Sequence, residues 1–215
     1  MNAQKVAIAL LVVGLISAGT MSARGPAGFS GLHWQTPRGW AGFGTRPQDY
    51  KVSVVDDSAL GGRASAHIRG TTSDTNDFGT LMQSISAAQY RGRRVSFSGD
   101  LRISPASRGV GLWLRADDAC GRVLAFGSSQ RPGDGGTTTP QRHGVVLDVP
   151  ANAQNLHFGT VLVGSAEAWI SELELAVVED TVRLTAGPFD TAHCSTPAVG
   201  ALPGTSPVNL DFTRR

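Results

Sequence analysis

The chain has 215 residues, 40% of them hydrophobic and 17% charged, which is enough for one well-buried domain and argues against disorder. A formal net charge of +2, with no block of like charges, excludes the basic field of a dedicated nucleic-acid binder. The 27 glycines and 11 prolines favour turns over helix.

At the N-terminus, Val6 to Ile16 is almost continuously apolar behind Lys5, and the small residues Ser17, Ala18, Gly19, Thr20 and Ser22 follow. This is the layout of a secretory signal, assigned to residues 1–23, with cleavage after Ala18, Ser22 or Ala23. The apolar stretch is shorter than the ~20 residues of a spanning helix. Cleavage therefore leaves no membrane span, and an uncleaved anchor is the competing outcome. The expected location is exported, periplasmic or extracellular.

A Gly/Ala-rich lead-in covers residues 24–30, and from Gly31 to about Glu179 short strands alternate with Gly, Pro, Asp and Ser turns. The expected strands are Tyr50 to Val55, Ala64 to Gly70, Phe78 to Ala87, Arg94 to Ile103, Gly109 to Ala116, Val123 to Phe126, Gly144 to Asp148, Leu156 to Val163 and Ala168 to Val178. In Arg94 to Ile103, Val95, Phe97, Leu101 and Ile103 share one face; Ser96, Ser98, Asp100 and Arg102 take the other, the period of a half-buried antiparallel strand. In the last run, Trp169, Ser171, Leu173 and Leu175 oppose Ile170, Glu172 and Glu174. The best helical window, Ser84 to Tyr90, ends at Gly92. Many short strands with turns between them predict an all-β fold, two antiparallel sheets packed face to face over residues 31–179. Residues 180–215 read as a Gly/Pro-rich tail or linker with no periodic apolar face to extend the core.

No catalytic pattern emerges. Gly28-Phe29-Ser30-Gly31-Leu32 fails a nucleophile elbow at its last position. Gly42-Phe43-Gly44 lacks the rest of a dinucleotide loop. The histidines His33, His67, His143, His157 and His193 never form an i, i+4 pair. The neighbouring acids Asp56-Asp57 and Asp117-Asp118 would point to opposite faces of a strand and in turns would satisfy backbone amides. Asp74-Thr75-Asn76-Asp77 is oxygen-rich without the spacing of a calcium loop. No cofactor and no metal ligand is expected, a structural calcium being the one metal candidate. Cys120 and Cys194, in an exported chain, are expected to form a disulfide, worth ~4 kcal/mol for a loop this long.

The candidate ligand surface is built on Trp113. It shares a face with Gly111 and Arg115, opposite the aliphatic face of Val110, Leu112 and Leu114, and an indole beside a guanidinium suits a sugar ring. Ser96, Ser98, Asp100 and Arg102 are expected to add hydrogen bonds from the neighbouring long strand; the competing reading is that Trp113 simply packs. Trp40 and Trp169 are assigned to the core.

These residues also carry a resemblance. Pro37-Arg38-Gly39-Trp40, then Phe78 to Ile85 leading through Tyr90-Arg91-Gly92 to Val95 to Gly99, Gly111 to Arg115, Val145 to Pro150, Phe158-Gly159, Val163 to Ser165 and Ala168 to Leu173 follow an order similar to that of bacterial carbohydrate-binding-module-like jelly rolls of the galactose-binding-like class. The resemblance covers about Gly31 to Val178. It implies a jelly-roll sandwich of the kind found as an accessory module beside peptidase or regulator domains. In calcium-binding members the last strand carries an acidic pair, where this chain has Ser171 and Glu172. The tail Pro207 to Phe212 resembles a strand that opens a following domain. The expected function is an exported, non-catalytic module binding glycan or another surface ligand. The alternative is a structural or protein-interaction module, its tail adding a strand to a cell-surface partner; a hydrolase ranks third.

Overall fold

A computed structural model describes residues 36–60, 62–74, 76–105, 107, 109–130, 136–137, 139–185, 187–188 and 199–214. The signal segment, His33, Trp34, His193 and Cys194 lie outside the described residues. Eleven strands run in chain order: β1 (Ala41–Gly44), β2 (Tyr50–Asp57), β3 (Arg63–Gly70), β4 (Phe78–Ser86), β5 (Arg94–Ile103), β6 (Gly111–Asp117), β7 (Val123–Ser128), β8 (Gln141–Asp148), β9 (Asn155–Val163), β10 (Glu167–Val178) and β11 (Gly187–Pro188). The nine strands expected from the alternation are all present, most with ends shifted by one to three residues. β1 and the two-residue β11 are additional, and Ser84 to Ser86 ends β4 rather than beginning a helix.

Among the described residues all strand pairings are antiparallel. One sheet has the order β1-β4-β9-β6-β7-β11 and the other β2-β3-β10-β5-β8. Each sheet turns its aliphatic stripe inward, so Leu112, Leu114, Leu156, Phe158 and Leu162 meet Val95, Phe97, Leu101, Val145, Leu147, Ile68 and Ile170 in one continuous core. Phe158 lies at its centre, 5.1 Å from Phe97 and edge-on to Trp40 at 6.3 Å. Gly79 lets β4 pass the Tyr50 ring, which a Cβ would strike at 2.5 Å.

The C-terminal segment is no free tail. Phe212 is 0% exposed and packs on Trp40 at 5.3 Å between ring centres. Trp40 Nε1 donates to the Asn209 carbonyl at 3.0 Å, Val208 N donates to Gln83 Oε1 at 3.1 Å, and Arg38 N donates to the Arg214 carbonyl. One aromatic and one aliphatic residue, Phe212 and Leu210, suffice to plug the gap between the sheets. A plug of two residues carries no periodicity, so the segment has no apolar face of its own.

β10 holds the other departure. Its pairing with β5 shifts register between Ser171 and Glu174, and Glu172 there has φ 50°. The extra residue reverses the alternation. Trp169 and Ser171 lie on the outer face, whereas Leu173 and Leu175 pack on the core.

Candidate functional site

The six expected ligand residues do not converge. β5 belongs to the five-stranded sheet and β6 to the six-stranded one, so Ser96, Ser98, Asp100 and Arg102 face away from one side of the sandwich and Trp113 and Arg115 from the other.

Register places Trp113 and Arg115 on the outer face of β6, as the alternation implies, but that face is not open. Both are 0% exposed. Trp113 joins Phe78, Met82, Val123, Phe126 and Val161 in a second apolar cluster, with Phe43 and Val163 against it, and its Nε1 donates to Thr80 Oγ1 at 2.9 Å. The expected exposed indole and guanidinium are thereby corrected to buried ones. A signal for this stood in the neighbouring strands. β4 and β9 are apolar on both faces (Phe78, Leu81, Met82 and Ile85; Leu156, Phe158, Val161 and Leu162), the pattern of strands covered on both sides.

Within the buried outer face lies a polar chain. Arg115 grips Asp117 through two hydrogen bonds, Nε to Oδ1 at 2.6 Å and Nη2 to Oδ2. His157 Nε2 lies 3.4 Å from Asp117 Oδ2, and His157 Nδ1 pairs with Ser84 Oγ at 2.7 Å. Burial pushes the Asp117 carboxyl up, but hydrogen bonds from His157 and Arg115 outweigh it and hold the group below the usual carboxylate range. The atoms of a serine–histidine–aspartate triad are present without its working arrangement. The guanidinium already neutralises the carboxylate, and strand amides lie in the plane of the sheet, so they do not converge as oxyanion donors.

The outer face of the five-stranded sheet is accessible. Cross-strand register sets His67, Trp169 and Arg102 in one row. β10 lies between β3 and β5, so imidazole and guanidinium reach the indole from its two sides. The imidazole stacks at 4.7 Å and 15°, and Arg102 Cζ lies 3.7 Å from the ring centroid. Arg102 is held from behind by Asp57 at 2.9 Å and His67 by Glu167 at 2.8 Å. Trp169, assigned to the core from sequence, is half-buried here and lies on the outer face. Beside it, Arg142 Nη2 donates to Ser98 Oγ at 2.9 Å, and the same guanidinium lies 3.4 Å from Asp100 and 3.5 Å from Glu174. Of the expected six, Ser96, Ser98, Asp100 and Arg102 remain together on this face; Trp169, His67 and Arg142 are the residues that sequence reasoning missed.

Two acidic loops serve the fold. Asp118 Oδ1 accepts the amides of Cys120 and Arg122 at the β6–β7 turn. Asp77 accepts the hydroxyls of Thr45 and Thr72.

No family model matches the chain. A curated relative is the uncharacterized HTH-type transcriptional regulator YbfP of Bacillus subtilis strain 168, 29% identical over 149 residues, 69% of this chain and 50% of the relative. The chain thus spans about half the length of the curated relative it matches. Among solved structures, the CBM22-1 xylan-binding domain from Paenibacillus barcinonensis Xyn10C aligns with a TM-score of 0.50 at 15% identity, over 68% of this chain and 90% of that domain. The fold is that of the carbohydrate-binding-module jelly rolls. The jelly roll also aligns with the enzymatically active domain of bacteriophage CBA120 tailspike protein 4, TM-score 0.51 at 14% identity, over 66% of this chain and 20% of that one. Among the described residues the jelly roll contains no α-helix, hence no helix-turn-helix and no helix long and apolar enough to cross a membrane.

Proposed function

We propose that the chain is an exported, non-catalytic β-sandwich module that binds carbohydrate or another surface ligand on the outer face of its five-stranded sheet. The observation that carries this reading is the half-buried Trp169, sandwiched between Arg102 and His67 beside Ser96, Ser98, Asp100 and Arg142. A stack held this rigidly loses little conformational freedom when a ligand settles on it. The surrounding hydroxyl, carboxylate and guanidinium groups supply the mixed donors and acceptors that a polyhydroxy chain requires. The xylan-binding domain that shares the fold supports the ligand class.

Export and a Cys120–Cys194 disulfide belong to the same proposal. On either side of Cys194, Gly187 pairs with Phe126 and Val199 N donates to the Ala119 carbonyl. Both described flanks thus return to the β6–β7 hairpin that carries Cys120, and no described cysteine is free.

Affinity electrophoresis through a panel of polysaccharides tests the reading. Wild type is expected to be retarded by at least one of them, and Trp169→Ala to lose at least tenfold in affinity. Equal retardation of both proteins rejects the sheet face as the site. A second reading, a protein-interaction or sensing module, is favoured by the likeness to half of a transcriptional regulator, and it takes precedence if no polysaccharide retards the wild type.

A further inference from the structure

Where the C-terminal segment crosses the end of β3 and the bulge of β10, the structure holds an open cleft of ≈ 710 Å³, within the size range of small-ligand sites. We propose that this cleft is a second ligand site, independent of the sheet face, and that it takes a neutral polyhydroxy compound, a saccharide ring with neighbouring hydroxyls.

Three observations converge on the cleft. The first is conformational. Among the described residues, every non-glycine with a positive φ lies here: Glu172 at 50° and Asn209 at 51° in the wall, and Phe212 at 56° between the wall residues Asp211 and Thr213. Left-handed backbone is uncommon for L-residues and gathers at ligand clamps and switch points.

The second is charge. Arg63 and Arg214 face the same space as Glu172 and Asp211. Two cations against two anions leave no net field to select an ion. A hydroxyl both donates and accepts, so adjacent hydroxyls of one ring bridge a guanidinium and a carboxylate together. The groups are partly ordered already, with Arg63 Nη1 2.6 Å from Glu172 Oε1 and Asp211 Oδ1 accepting the Thr213 hydroxyl at 3.1 Å.

The third is the floor. Ala64, Leu173 and Leu210 line the cleft and pack on the core, which gives the apolar C–H face of a sugar a surface to cover. One wall is sheet and the other is the C-terminal segment, so a ligand would touch both.

The chain is screened on an array of neutral oligosaccharides and their uronate counterparts together with Asp211→Asn, Glu172→Gln and Trp169→Ala, each checked for folding by thermal melting. At least one oligosaccharide is expected to bind with affinity reduced tenfold or more in both cleft variants and within twofold of wild type in Trp169→Ala. The proposal is overturned if no neutral oligosaccharide binds, if the cleft variants bind like wild type, or if binding depends on Trp169 alone, which would support the sheet face instead. A uronate preferred over its neutral counterpart overturns the ligand class. Should Glu172→Gln fail to fold, the exposed Asp211→Asn decides.

Discussion

Arg115 and Asp117 form an ion pair with 0% and 4% of their side chains exposed. Removing two charges from water costs several kcal/mol each, and the bidentate geometry with His157 at hand offsets that cost. Breaking such a pair one-sidedly leaves an uncompensated buried charge, so Asp117→Asn is expected to lose about 3–5 kcal/mol in urea denaturation at pH 7. Replacing both partners with apolar residues of similar volume should cost distinctly less. The sign with pH follows from the depressed carboxyl. Its contribution is complete above the unfolded aspartate value of about 3.9 and disappears as pH falls through the lower folded value. A plot of stability against pH should therefore fall on the acid side for wild type and be flatter there for Asp117→Asn. At this scale the sequence was half legible. Alternation put Trp113 and Arg115 on the side of β6 away from the core, but whether that side meets water depends on β4 and β9, whose two-sided apolar character had to be read together with it.

Strands were the most legible elements because period-2 alternation is a local property, and Arg94 to Ile103 was bounded from it to the residue. What eluded the sequence was a local exception and a distant partner. The bulge at Glu172 inverts the faces of β10 midway, so a regular reading puts Trp169 on the face of Leu173, although the two point to opposite sides. The plug at Phe212 meets Trp40 across most of the chain, and no window of residues could reveal that contact. Its worth is measurable. Phe212→Ala removes a fully buried ring and should destabilise the fold by about 3–5 kcal/mol, read from the urea midpoint at unchanged slope. A loss within 0.5 kcal/mol would mean that the segment is only draped over the sandwich.

On the scale of the whole molecule, the two outer faces differ: the central strands β4, β9 and β6 of the six-stranded sheet are buried on both sides, whereas the five-stranded sheet keeps one side wet. Both proposed ligand sites accordingly lie on the second sheet, one on its outer face and one where the C-terminal segment crosses the bulge of β10. Both described flanks of Cys194 lie on the β6–β7 hairpin, so the proposed bridge to Cys120 would fasten a distant segment onto the six-stranded sheet. Peptide mapping without reduction should recover the Cys120 and Cys194 peptides joined. Reduction should then lower stability by ~4 kcal/mol or somewhat less, the loop-closure value for a long span. Separate peptides from oxidised protein would remove the bridge from the proposal.

The hydrogen bond from the Trp40 indole to the Asn209 carbonyl closes a separation of 169 positions, and Phe212 seals the interior just beyond it. A chain emerging from the ribosome can pair its hairpins early, yet its interior stays unsealed until the stretch around Phe212 has been synthesised. Final consolidation therefore waits for that stretch, and chains truncated before it should remain protease-sensitive while those that include it become resistant.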